Sequence, residues 1–139
     1  MRYLGLDLGS KTLGLSVSDT TLTVASALKT IYFDNEDYDS LLEPLREVID
    51  EYEITKLILG YPLNMDGSIG MRAEITLVFK KKLEDYFSME VVLQDERLTS
   101  VISNQVLIEA DLSRSKRKKK VDSMAATLIL QSYLDRKRR

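Results

Sequence analysis

In Leu4-Gly5-Leu6-Asp7-Leu8-Gly9-Ser10-Lys11-Thr12-Leu13-Gly14, leucine alternates with glycine or aspartate up to Gly9. A period of two is the signature of a strand with one buried face. Leu13, Leu15 and Val17 resume the alternation, which predicts a hairpin folding back just after Asp7. The leucine face calls for a core. The opposite face carries one carboxylate between Gly5 and Gly9. Glycine beside an acid in a strand often marks close approach by a ligand or by another backbone. Two readings follow: Asp7 is the centre of a site for a metal and a phosphate, or it is an acid at the solvent end of a glycine-softened strand.

The chain has 139 residues, 44% of them hydrophobic and 30% charged, the values of one ordinary globular domain. It has no apolar run long enough to span a bilayer and no signal-peptide pattern, so a soluble cytoplasmic protein with no membrane partner is expected. Cysteine and histidine are both absent. That excludes disulfides, thiolate nucleophiles, cysteine-built zinc sites and any imidazole general base. A hydrolytic site here has carboxylates, Lys, Tyr, Ser or Thr to work with. A site built of carboxylates alone suits hard cations such as Mg²⁺ or Mn²⁺.

Net charge is −2, but it is unevenly spread. From Arg114 to Arg139 there are ten Lys/Arg against two acids, and the preceding residues hold ten Lys/Arg against twenty acids. The basic C-terminal quarter is suited to a polyanion.

Beyond the hairpin, Leu22–Phe33 reads as a third strand, with a break near Ala25-Ser26-Ala27. Leu41, Leu42, Leu45, Val48, Ile49 and Tyr52 follow helical spacing, and Pro44 places the helix start near Leu42. Leu57-Ile58-Leu59 suits a buried parallel strand reached by a helical crossover. Tyr61–Gly70 is a loop beyond the carboxyl end of that strand, where open α/β sheets place ligands; its Asp66-Gly67 is equally a common turn dipeptide. Met71–Phe87 predicts a second helix, Glu90–Leu93 a fifth strand, and a third helix follows around Ile102, Val106 and Leu107. Residues 112–120 form a basic connector without apolar periodicity, expected to be mobile. A last helix is expected over Val121–Leu134, with Ala125, Leu128, Ile129 and Ser132 on one face, followed by a frayed tail. Three meander strands followed by two crossover strands give one mixed α/β sheet in a single domain, 1–139.

Three acids stand at the ends of elements: Asp7 on strand one, Glu96 after strand five and Asp122 at the start of the last helix. Ala125 and Ala126 share roughly the helix face of Asp122 and permit close approach to the sheet. If the three carboxylates converge they repel one another unless a cation sits between them. Each also has a plainer explanation. Asp122 is favoured by the helix dipole, and Glu96 is not ranked above Asp95 by spacing. Arg114-Ser115-Lys116-Arg117-Lys118-Lys119-Lys120 puts six cations next to Asp122. It suits a nucleic-acid backbone and, lacking an aromatic residue, gives no sign of base stacking.

Four motifs in this order resemble the YqgF/RuvX family of pre-16S rRNA nucleases and Holliday-junction-resolvase-like proteins. They are Gly5–Thr12 with Gly14, Gly60-Tyr61-Pro62-Leu63-Asn64-Met65-Asp66-Gly67, Asp95-Glu96-Arg97-Leu98-Thr99, and Lys120-Val121-Asp122 through Ala125-Ala126 to Leu134. Departures are small: Tyr61 stands where the family often has Leu, and Ser100 where it often has Thr. The resemblance implies an RNase H-like fold, an α/β domain with a five-stranded mixed sheet in order 3-2-1-4-5, its first three strands antiparallel and helices on both faces. It also implies that Asp7, Glu96 and Asp122 are the catalytic, metal-holding acids. Lys11, Arg72, Arg97, Lys116, Arg117, Lys118, Lys119 and Lys120 are expected to hold nucleic acid.

The expected activity is Mg²⁺- or Mn²⁺-dependent hydrolysis of phosphodiesters in precursor 16S rRNA, free or in ribosomal particles, by a monomer or weak dimer. Two rivals stand beside it. One is a resolvase of branched DNA, which needs a dimer for two symmetric cuts. The other is an RNA- or ribosome-binding factor without catalysis. An actin-like ATPase is suggested by Asp7-Leu8-Gly9, but the chain is too short for its second lobe.

Overall fold

The computed structural model describes residues 1–34, 36–95 and 114–137, with side chains omitted for 114–123 and 137. In chain order the elements are β1 (Arg2–Leu8), β2 (Thr12–Ser18), β3 (Ala25–Tyr32), a single 3₁₀ turn (Tyr38–Leu41), α1 (Leu42–Tyr52), β4 (Ile54–Tyr61), α2 (Met71–Phe87), β5 (Val91–Asp95) and α3 (Arg114–Lys137). The five strands form one sheet in the order β3-β2-β1-β4-β5, as expected. β1–β2 and β2–β3 are antiparallel, and β1–β4 and β4–β5 are parallel.

The period of two sorts β1 onto two layers. Leu4, Leu6 and Leu8 join Leu13, Leu15, Leu57 and Leu59 in a core closed by α1 (Leu45, Val48, Ile49) and α2 (Phe79, Leu83). On the other face, α3 lays Ile129, Leu130, Tyr133 and Leu134 against Ile58 and Ala25. The buried face of α3 thus runs Ala125, Ala126, Ile129, Leu130, Tyr133 and Leu134, while Ser132 is exposed. That is a rotation of about one residue from the expected face.

Helix bounds follow from punctuation. Pro44 sits in the first turn of α1, where its missing N–H costs nothing. α1 and α2 end on left-handed caps, Glu53 (φ 53°) and Ser88 (φ 50°), whose N–H groups close onto the carbonyls of Ile49 and Glu84. β3 begins at Ala25 and not at Leu22. The reason lies in the β2–β3 turn, where the Asp19 carboxylate accepts the N–H groups of Thr23 and Val24 at 2.8 and 3.0 Å and Leu22 takes φ 58°. Leu28 is the bulged residue of β3, since Leu15 pairs with Lys29 and Ser16 with Ala27.

The expected basic connector is corrected in part. Residues 112 and 113 lie outside the described residues, but Arg114–Lys120 is helical and continuous with the rest of α3. Lys and Arg are good helix formers in spite of having no apolar face here. Like charges four apart cost only about 0.2–0.5 kcal/mol per pair, too little to stop a helix anchored by its buried C-terminal half. The expected third helix lies outside the described residues, as do Arg138 and Arg139.

Candidate active site

The site region is the carboxyl end of β1 and what surrounds it. Asp7 is half-buried and pairs across the hairpin with Gly14. It lies on the same side of β1 as Gly5 and Tyr3, the side that α3 covers. Gly5 shows why that side carries glycine: a Cβ there would collide with Ser16 Oγ and stand 2.8 Å from Leu130 Cβ and 2.9 Å from the Ala126 carbonyl oxygen. The close approach expected from the sequence is therefore made by a helix. Ser16, the hairpin partner of Gly5, is fully buried and donates its hydroxyl to that same Ala126 carbonyl at 2.7 Å.

The descent of α3 is held at a second point. Gln131 accepts the Ala25 N–H at 2.8 Å and donates to the Thr23 carbonyl at 2.9 Å. Tyr133 packs edge-on against Tyr3, with ring centroids 6.0 Å apart. Contacts thus step back along α3 as they step forward along β1, from Tyr133 on Tyr3 to Leu130 and Ala126 on Gly5. Ser16 and Gln131 were not singled out in the sequence. The hairpin register, which sets Gly5 opposite Ser16, was the available signal for the first; nothing local marks the second.

The rim of the region is made by two turns. After β1, the Gly9 N–H donates to the Thr12 carbonyl at 2.7 Å, and Lys11 stands exposed in this turn. After β4, Tyr61–Gly70 is tied to itself. Asn64 N–H donates to the Ser68 carbonyl at 3.0 Å, Gly67 N–H donates to the Asn64 carbonyl at 2.8 Å, and Asp66 Oδ1 accepts both the N–H and the hydroxyl of Ser68. Gly67 has φ 88°, which favours glycine. The Asn64 side chain lies over Gly70, where a Cβ would be 3.0 Å from Oδ1. Arg72, in the first turn of α2, donates from Nη2 to the Leu8 carbonyl at 2.9 Å.

Of the residues expected at the site, the structure brings Asp7, Lys11 and Arg72 to one end of β1. Asp122 is not at the start of the last helix, as expected, but inside α3, eight residues after Arg114 and one helical turn before Ala126, because the helix extends back through the basic run. Lys116, Arg117, Lys118, Lys119 and Lys120 likewise occupy the first turns of α3. Glu96 and Arg97 lie outside the described residues. Among the described residues no three acids form a group able to hold a metal. Asp95 is exposed at the end of β5, in register with Tyr61, while the neighbouring Gln94 is buried and accepts a hydrogen bond from Arg136 of α3 at 3.1 Å. Among the described residues no helix is long and apolar enough to cross a membrane.

A 3-2-1-4-5 sheet with a carboxylate at the end of its central strand and a helix drawn over that strand is an RNase H-like arrangement. Solved structures agree on the fold. The Thermus thermophilus RuvC bound to a Holliday junction superposes with TM-score 0.61 at 13% identity, covering 99% of this chain and 96% of that one. The fowlpox virus resolvase in complex with Holliday junction DNA gives TM-score 0.58 at 15% identity, with 100% of both chains covered. The chain belongs to the RuvX family, described as Holliday junction resolvase, whose family model matches residues 1–136. Curated relatives named "Putative pre-16S rRNA nuclease" include that of Geobacillus sp. (strain WCH70), 52% identical over 137 residues, 99% of each chain. Another, from Bacillus subtilis (strain 168), is 49% identical over 135 residues, 97% of this chain and 98% of that one.

Proposed function

We propose that this chain is a divalent-metal-dependent nuclease acting on the 16S rRNA precursor in the cytoplasm, with residues 1–139 as one catalytic domain. The observation that carries the reading is the approach of α3 to β1. Its contacts descend from Tyr133 to Ala126 as those of β1 climb from Tyr3 to Gly5. One step further on each element stand Asp122 and Asp7. The third acid is Glu96, which follows the end of β5 in sequence and is the acid that the family resemblance implies. The relatives, half identical over nearly the whole chain, support the choice of RNA.

The donor set fits a hard cation, because the chain has no histidine or cysteine to offer and the three acids supply oxygen only. Mg²⁺ or Mn²⁺ bound there supplies Lewis acidity at the phosphate and a more acidic water. Asp7, Glu96 and Asp122 would hold the ion. Lys11, Arg97 and the cations of Arg114–Lys120 hold the phosphate backbone. Helical spacing now divides that run, since Lys116 and Lys120 are four apart and share a face that Lys118 does not. The junction resolvase remains a second reading because this is the family's own description.

The test incubates the protein and its Asp7→Asn, Glu96→Gln and Asp122→Asn variants with precursor 16S rRNA and with a four-way DNA junction, in Mg²⁺, Mn²⁺ or EDTA. RNA cleavage by wild type alone, abolished by EDTA, is the expected result. Junction cleavage by a dimer with intact RNA transfers the reading to the resolvase. Cleavage of neither, with RNA binding retained in all variants, leaves a binding factor.

A further inference from the structure

We propose that Arg72 is a positioning residue of the site, fixing the end of β1 that carries Asp7, and is not a ligand of the nucleic-acid backbone. The inference rests on the reading of Asp7 given above and goes beyond it. The parallel pairing of β1 with β4 ends at Leu6↔Leu59, yet β1 continues to Leu8. From Leu6 on, the two strands part, and the flank of β1 towards β4 lacks a strand to bond it. A carbonyl near such a parting must find another donor. Arg72 supplies it, reaching 64 residues back in sequence to donate to Leu8 from a half-buried position.

The backbone that carries Arg72 is tied down in turn. The Arg72 carbonyl accepts the hydroxyl of Thr76, a fully buried residue, at 2.9 Å. Two residues before Arg72, Gly70 lies under Asn64, whose loop is closed by the bonds to Ser68 and Gly67. The chain Asn64–Gly70–Arg72–Leu8 therefore joins the β4–α2 loop to the strand end one residue past Asp7. Strand ends are free to fray. Arg72 removes that freedom where a carboxylate has to be held within a fraction of an ångström to serve a metal. A charged donor to a carbonyl is also stronger than a neutral one.

Mn²⁺ affinity is measured on RNA-free protein by the loss of the free-ion electron paramagnetic resonance signal. Steady-state cleavage of precursor 16S rRNA and a salt series of RNA binding complete the set. The proteins are wild type, Arg72→Ala, Arg72→Lys and Asp7→Asn, each checked for folding by circular dichroism. Arg72→Ala should bind Mn²⁺ severalfold more weakly and lose at least tenfold in kcat with KM within twofold of wild type. Its salt slope of log K should equal wild type, and Arg72→Lys, which keeps a cationic donor, should recover part of both losses. If Arg72→Ala fails to fold, Arg72→Lys decides alone: intermediate kcat and Mn²⁺ affinity support the inference, wild-type values overturn it. A salt slope reduced by about 0.7 to 0.9, with metal affinity unchanged, makes Arg72 a phosphate contact and overturns it too. Active Asp7→Asn protein brings down the site reading itself, whereas inactive Asp7→Asn beside wild-type Arg72→Ala brings down this inference alone.

Discussion

The two faces of the sheet are covered by different means. Towards α1 and α2 the strands present bulky leucines, and burial is non-directional: many side chains fill one volume. Towards α3 a smaller apolar cluster around Ile58 is joined by Gly5, Ser16 and Ala25, and the helix is also held by a backbone contact, a buried hydroxyl and the two-way amide of Gln131. The first arrangement supplies most of the apolar burial and tolerates small shifts. The second fixes the height and rotation of one helix over one strand. Asp7 lies on the second face, so under the function proposed above the position of the helix bears on chemistry as well as on stability.

The largest effect should come from the leucine face. Leu59→Ala, in the middle of β4 and fully buried, should cost about 2–5 kcal/mol in urea unfolding by opening a cavity. Loss of signal from every element together is the expected pattern; loss confined to α3 would reverse the comparison.

Next comes Gly5→Ala, which should cost about 1–3 kcal/mol by overpacking. Hydrogen exchange should show α3 loosened while α1 and α2 keep their protection. Ser16→Ala alone should cost about 1 kcal/mol for its hydrogen bond. Combined, the two should cost less than their sum, because the atom nearest the new methyl is Ser16 Oγ. Additive costs would mean that the Ala126 backbone, and not the hydroxyl, limits the approach.

A smaller, pH-dependent effect belongs to the β2–β3 turn, against which Gln131 clamps α3. The Thr21 hydroxyl, then the Val24 and Thr23 N–H groups, hold Asp19 down to about 2 from its ordinary value. A carboxylate depressed in the folded state stabilises it above the unfolded value and loses that contribution as pH falls towards about 2. Stability of wild type should therefore drop across this acid window more than that of Asp19→Asn. Parallel curves would show that the turn does not depend on the charge.

The smallest effect should lie on the helix layer across the sheet from α3. Ser88→Gly, at an exposed left-handed cap of α2, should stabilise by a few tenths to about 1 kcal/mol and leave α3 protection unchanged.

Much of this was legible in the chain. The period of two in Leu4–Gly14 marked β1, β2 and the hairpin between them, because alternation is a direct image of a half-buried strand. The Met71–Phe87 helix was placed to the residue, since Gly70 before it interrupts the pattern and Phe87 is its last apolar position. The start of α3 was hidden, because a run of Lys and Arg carries no hydrophobic period even where it is helical. The β3 start was hidden for another reason: the turn is set by one carboxylate bonding to nitrogens four and five residues on. For the acids, the sequence put each at the end of an element, which does not hold for Asp122 inside α3, and only the family resemblance named the three as a set. What draws α3 towards Asp7, the pairing of Gly5 with Ser16 under Ala126, involves positions 110 residues apart and leaves no local trace.

That separation has a consequence for folding order. The β1–β2 hairpin closes through near neighbours such as Leu8 and Leu13, while Ser16–Ala126 and Ala25–Gln131 close loops of 110 and 106 residues. Long loops are slow to close and their entropy must be met before the contact stabilises anything. During refolding the leucine core with α1 and α2 should therefore form while the Gly5–Ser16 side of the sheet is still bare. The docking of α3 should then come last, and with it the proposed site, so that competence to cut is expected only at the final folding step.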